Sequence, residues 1–148
     1  MVQRFARKII RPIGRAGQQN EIQTMIRNES RAIAKLCAPG SHRNIVSVLR
    51  QGAVKDSGMY YIDMEFCDAN LEQYIADFRS DGARGNMADT LAIMTDIGNG
   101  TAYIHEQGEV HRDLKPRNGI MMRSRTQNND LQFFILIGNK PGRLRILV

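Results

Sequence analysis

Eight consecutive residues, His111 to Asn118 (HRDLKPRN), constrain this chain more than any other stretch, because an acid, a base, a metal-capable amide and a proline share eight positions. Pro116 fixes the backbone between the polar groups, so the run reads as a loop that carries chemistry. Asp113 can accept a proton from an attacking hydroxyl, Lys115 can steady charge on a moving phosphoryl group, and Asn118 can offer an amide oxygen to a hard cation. Reactions of that kind ask a protein for positioning and charge neutralisation more than for covalent chemistry.

A chain of 148 residues that is 42% hydrophobic allows one domain with a real core. Cys37 and Cys67 make no disulfide framework and no paired zinc spacing, which fits a cytoplasmic or other intracellular, reducing setting. No apolar run approaches the roughly 20 residues needed to span a bilayer, so no membrane partner is expected. The net charge of +6 is spread from Arg4 to Arg145 rather than gathered on one element, which makes nucleic acid an unlikely partner. Arg4, Arg7, Lys8, Arg11 and Arg15 precede the first acid, Glu21, as in a mitochondrial transit peptide, but Pro12 would interrupt a long helix there.

Phe5–Arg11 (FARKIIR) is short and β-branched and predicts a strand, and Pro12–Gly17 a loop. From Asn20 the period becomes helical: Ile22, Met25, Ile26, Glu29, Ile33 and Leu36 share a face, with Asn20 and Gln23 as a capping box and Pro39-Gly40 as the end. Glu29 sits within that apolar stripe, where an unpaired carboxylate is costly, so a cation is expected beside it, with Lys8 the candidate. His42–Gln51 and Met59–Glu65 read as an antiparallel pair of strands. Leu71–Arg79 is a short helix, Ser80–Gly85 a linker, and a longer helix follows, capped by Asn86, with Leu91, Met94, Ile97, Thr101 and Ile104 inward and Gly108 closing it.

HRDLKPRN resembles the catalytic loop of the eukaryotic protein kinases, HRDLxxxN, and its Leu-Lys-Pro interior resembles the serine/threonine branch. The resemblance implies an α+β, partial protein-kinase-like fold: an antiparallel-sheet small lobe with one long helix, then the helical start of the large lobe. It assigns residues 1–65 to a small-lobe remnant, 66–70 to the hinge and 71–148 to the start of the large lobe. Phe5-Ala6-Arg7-Lys8 is similar to the third kinase strand, which implies ATP as cofactor, with Lys8 on its α- and β-phosphates and Glu29 as the partner of Lys8. Met64 would guard the rear of the adenine pocket, and Glu65 and Cys67 would meet adenine through their main chains. Asp113 and Lys115 would be catalytic, Asn118 would bind Mg²⁺, Arg112 would pair with a phosphorylated activation segment, and the partner would be a protein bearing Ser or Thr.

The resemblance runs from Phe5 to about Met122 and then fails. Only four residues precede Phe5 and none is glycine, so the glycine-rich loop over the phosphates is missing. With Ile120–Met122 and Phe133–Ile137 as hairpin strands joined through Arg123–Asp130, Leu136-Ile137-Gly138 falls where the family has the metal-binding Asp-Phe-Gly, and no Ala-Pro-Glu follows. The chain is then either a fragment from a shortened or misread gene or a decayed kinase kept for binding, a pseudokinase. Its carboxy-terminal half is expected to pack poorly in isolation, since lost packing helices can outweigh the ~5–15 kcal/mol by which a domain is stable.

Overall fold

The computed structural model describes residues 4–11, 19–80, 87–123, 131–136 and 143–147. The expected loop at Pro12–Gly17, the cap Asn86, the hairpin turn 124–130, and Ile137 and Gly138 lie outside them. The fold is α+β, in two units described separately: residues 1–41, 47–66 and 138–148 form one, and 42–46 with 67–137 the other. No helix among the described residues is long and apolar enough to cross a membrane.

In the first unit β1 (Phe5–Ile10) alternates half-buried and buried residues, the two-residue period of a strand with one face on a core. Ala6, Lys8 and Ile10 point to the buried face with Ile62 and Met64 of β3 (Tyr60–Glu65), which pairs antiparallel with β1. The helix α1 (Gln19–Leu36) buries Ile33 and Leu36, and the Ser41 hydroxyl donates to the Leu36 carbonyl at 2.7 Å, meeting one of the helix's orphan acceptors. Two expectations change here. Asn20 lies within the helix rather than capping it, and Met25 is exposed.

The strand expected over His42–Gln51 is shorter and later: β2 is Val48–Ala53, and residues 42–46 belong to the other unit. The sheet order is β2-β3-β1-β7, where β7 (Arg143–Leu147) runs antiparallel along the other edge of β1, Leu144 opposite Lys8. A near-terminal strand thus satisfies the amides and carbonyls that β1 would otherwise present as an open edge.

In the second unit β4 (Ala69–Asn70), within the expected hinge, pairs with β5 (Gly119–Arg123), which pairs with β6 (Leu131–Ile135), the expected hairpin. The helix α2 (Leu71–Ser80) starts on a reciprocal box: Asn70 Oδ1 accepts the Gln73 amide at 2.9 Å and Gln73 Oε1 accepts the Asn70 amide at 3.1 Å. Leu71 and Phe133 anchor a core with Tyr74, Ile75, Ile93 and Ile97, and Tyr74 meets Phe133 edge-on at 6.2 Å.

The helix α3 (Met87–Glu106) corrects part of the face read from its period: Ile104 is buried and Ile97 packs on the core as expected, but Leu91 and Met94 are 57% and 64% exposed, and Asp96 and Gly100 are buried instead. Two residues decide its orientation. Asp96 accepts the Phe133 amide of β6 at 3.0 Å, and Gly100 lets Asn44 and Ile135 approach. The helix closes as expected at Gly108 (φ +70°), with Gly108 donating to the His105 carbonyl at 2.8 Å and Glu109 to that of Ile104 at 3.1 Å.

A Cβ on Gly100 would lie 2.9 Å from Ile135 Cδ1 and 3.0 Å from the Asn44 carbonyl oxygen. Gly100→Ala therefore lowers stability by about 1–3 kcal/mol, the usual cost of overpacking, read from a urea melt. Truncation after Gly142 removes β7, and amide exchange of Phe5–Ile10 accelerates while that of β6 does not change.

Candidate active site

Lys8 and Glu29 meet as their patterns require, the ammonium 3.9 Å from Oε1 with the side chains 5% and 12% exposed. What brings α1 to the strand is a polar clamp one residue beyond Glu29. The Ser30 hydroxyl lies 2.7 Å from the Tyr60 hydroxyl, Tyr60 donates to Gln51 Oε1 at 3.0 Å, and Gln51 Nε2 donates to the Ser30 carbonyl at 3.3 Å. A buried pair of this kind is costly to break from one side, because the remaining charge has no water to return to.

Met64 is buried on β3, opposite Ala6. Glu65 is more than a main-chain position: its Oε1 accepts the Ser47 amide at 2.6 Å while its own amide donates to the Ser47 carbonyl at 3.0 Å. Cys67 is half-buried, whereas burial pushes the Cys37 thiol up to about 12, which makes it chemically inert.

In the other unit the catalytic-loop residues are tightly organised. Lys115 Nζ lies 2.9 Å from Asp113 Oδ1 and 2.8 Å from Oδ2, and Asn118 Nδ2 donates to Oδ2 at 3.0 Å and to the Asp113 carbonyl at 2.8 Å. Pro116–Asn118 form one 3-10 turn, which brings Asn118 back over Asp113. Arg112 is left-handed at φ +62°, a conformation that reverses the chain between His111 and Asp113 at a small cost in strain.

His111 is buried, and its partners fix its tautomer. The Asp113 amide can only donate, so Nδ1 accepts it at 3.3 Å; the Leu136 carbonyl can only accept, so Nε2 carries the proton across 2.8 Å. The Leu136 amide in turn donates to the Asn118 carbonyl at 3.0 Å. Sequence reasoning missed this main-chain role of Leu136, as it missed Asn44, Asp63 and Asp96, of which only Asp63 carries a signal, a polar residue between apolar ones.

Magnesium does not fit this donor set. Both Asp113 oxygens are engaged by Lys115 and Asn118, and Leu136 offers no side-chain oxygen. Mg²⁺ is held by one or two carboxylates together with phosphate oxygens and water, and neither the engaged Asp113 nor Leu136 offers it a carboxylate.

The Lys115 hydrogen bond, helped by Asn118, holds the Asp113 carboxyl below its ordinary range, against a smaller opposing desolvation. Asp113 is therefore ionised throughout the neutral range and better suited to orienting a hydroxyl than to keeping its proton. A carboxyl lowered on folding stabilises above its unfolded value, and that contribution is lost as pH falls through the folded one. By carbon-detected NMR the Asp113 titration lies below the usual value of about 3.9, and Lys115→Ala moves it upward.

The family model for the protein kinase domain matches residues 2–134. The chain is 37% identical over 110 residues to serine/threonine-protein kinase PksC of Streptomyces coelicolor, covering 71% of this chain and 19% of that one. It is 32% identical over 109 residues to CDPK-related kinase 8 of Arabidopsis thaliana, covering 72% and 17%, and 30% identical over 91 residues to cyclin-dependent kinase B2-1 of the same plant, covering 61% and 29%. The crystal structure of the Mycobacterium tuberculosis PknI kinase domain superposes with a TM-score of 0.67 at 25% identity, over 93% of this chain and 51% of that one. The chain thus spans less than a third of these curated relatives and about half of the PknI domain. A match across most of its length, the loop that holds Asp113 included, makes this chain a member of the protein kinase domain family.

Proposed function

We propose that the chain binds ATP in the manner of a serine/threonine kinase, and that its transfer of phosphate to protein hydroxyls is weak or absent in these 148 residues. The observation that carries the reading is the contrast within the second unit: an Asp113–Lys115–Asn118 network already in place beside a Leu136 that supplies only its backbone. Lys8, held at Glu29, takes the α- and β-phosphates. Met64 limits the rear of the adenine site, and the main chains of Glu65 and Cys67 meet the base; because the Glu65 amide already donates to Ser47, that residue contributes its carbonyl. Bound ATP supplies the phosphoryl group. Asp113 accepts the hydrogen bond of a Ser or Thr hydroxyl and orients its oxygen, and Lys115, with its side chain 49% exposed, is free to exchange its carboxylate for an incoming phosphoryl oxygen. Asn118 keeps Asp113 in place whether or not a metal is present.

The second reading, a non-catalytic module, is favoured by Leu136, which cannot ligate a hard cation. In that case the nucleotide or a partner protein is bound and nothing is transferred.

ATP without magnesium raises the melting temperature, and Lys8→Met reduces the ATP-dependent shift, measured from the variant's own baseline, by about tenfold in affinity. Transfer to a generic basic protein stays near background, and Leu136→Asp adds a magnesium dependence to ATP binding. Rapid transfer abolished by Asp113→Asn would remove the claim of weak turnover. A melting temperature indifferent to ATP would remove the nucleotide.

A further inference from the structure

Asparagine is followed by glycine twice in this chain, at Asn99 and at Asn118. At such a pair an asparagine side chain reacts most readily with its own backbone, because a glycine amide is not shielded by a Cβ. The two sites differ in how far the fold must open for that to happen. Gly100 lies inside α3, where its amide belongs to a helix of 20 residues. Asn118 instead ends the single 3-10 turn Pro116–Asn118, whose hydrogen bonds have the poorer geometry of that turn, and Gly119 begins β5. The fold does not call for glycine at 119. Its φ of −85° and ψ of 113° are open to any residue, and a Cβ would stand at ordinary contact, 3.4 Å from Leu71 Cβ and 3.6 Å from the Pro116 carbonyl oxygen. What glycine changes here is reactivity.

We propose that Asn118–Gly119 is a self-modification site, at which Asn118 deamidates when the loop opens, and that the hydrogen bonds to Asp113 hold this reaction back. The Gly119 amide nitrogen, its proton passing to water or hydroxide, bonds to Asn118 Cγ and closes a succinimide ring, while the bond from Cγ to Nδ2 breaks and ammonia leaves with a proton from solvent. Water then adds to either ring carbonyl and opens the ring as aspartate or isoaspartate. The net exchange is NH for O, with no change of oxidation state. In the closed loop the reacting groups are all held: Nδ2 donates to the Asp113 carbonyl at 2.8 Å and to Oδ2 at 3.0 Å, the Gly119 amide donates to the Lys115 carbonyl at 3.2 Å, and the Asn118 carbonyl accepts the Leu136 amide at 3.0 Å. The carboxamide is therefore kept on Asp113 and away from its own backbone. The product cannot return to that position, because a carboxylate has no N–H to donate and would face the Asp113 carboxylate at hydrogen-bond distance. An opening of the loop is thus made irreversible, and Asp113 loses the donor that sets it. The chemistry needs only the chain and water and does not rest on nucleotide binding.

The test incubates the full chain in mildly alkaline buffer made with heavy-oxygen water and follows Asn118 and Asn99 by peptide mass, with a synthetic peptide of residues 115–122 as the unfolded reference. Asn118 takes up oxygen about tenfold more slowly than the peptide does, and faster than Asn99. Asp113→Ala speeds the uptake about fivefold, the factor for one hydrogen bond of ordinary net strength, and leaves Asn99 unchanged. Gly119→Ala, for which the fold has room, slows it about tenfold. Asn118→Asp supplies the charge of the product directly and speeds exchange of the Leu136 amide. A chain that leaves Asn118 unmodified while the peptide converts fully, or modifies it no faster than Asn99, overturns the site. A rate equal to that of the peptide, or indifferent to Asp113→Ala, overturns the protection by Asp113, and unchanged Leu136 exchange in Asn118→Asp overturns the effect on the loop. Melting curves matching the parent show that each variant is folded, and if Asp113→Ala is not, the ratio of chain to peptide decides the protection alone.

Discussion

The second unit depends on how the backbone of β6 is satisfied away from its hairpin partner. A buried amide or carbonyl without a partner costs as much as several good contacts gain. Here Asp96 of α3 accepts the Phe133 amide, Asn44 Nδ2 donates to the Phe133 carbonyl at 2.9 Å, and the Asn44 carbonyl takes the Ile135 amide at 2.8 Å. These bonds set both the depth of α3 and the position of residues 42–46. One residue further along, Leu136 continues the same logic into the catalytic loop, its carbonyl on His111 and its amide on Asn118. The geometry of Asp113 is thus downstream of a register set on β6.

The first unit solves a different problem, two buried carboxylates on opposite faces of one β-sheet. Lys8 and Glu29 meet on the covered face at 3.9 Å, while Arg7 and Asp63 form a bidentate pair on the other. Adjacent residues of β1 therefore carry cations that serve opposite faces, as the two-residue period of a strand requires. A register slip of one residue would exchange them, placing Arg7 against Glu29 and leaving Asp63 beneath Lys8. Pairing of β1 on both edges, to β3 and to β7, opposes such a slip.

What the sequence discloses follows how local the determinant is. His111–Asn118 is legible because its roles lie within eight positions, and the Lys8–Glu29 contact was inferred because a carboxylate on an apolar stripe demands a cation. The buried face of α3 is read correctly at Ile97 and Ile104 and wrongly at Leu91 and Met94, which match the same period; only the distant Asn44 and Phe133 decide which residues turn inward. The early end assigned to β2 by pattern failed likewise, since Asn44, Ile45 and Val46 are buried against β6 and so look like strand residues. The alternation Arg143-Leu144-Arg145-Ile146 marks β7 as a strand without saying what it pairs with. Its partner is β1, more than a hundred residues away, and no spacing rule reaches that far.

The role of Leu136 explains how the loop from His111 to Asn118 is ordered without any side-chain oxygen at that position. Its contacts to His111 and Asn118 are made by main-chain atoms, which any residue but proline supplies. An aspartate at this position would add metal-binding oxygens without being needed for the hydrogen bonds that set the loop. Leucine here supplies the same main-chain contacts without a side-chain oxygen, and its buried side chain stabilises the position rather than straining it. The order around Asp113 is evidence that the chain folds as its family does, and it is silent on turnover. In the proposed chemistry a cation needs side-chain oxygens, and main-chain geometry does not supply them.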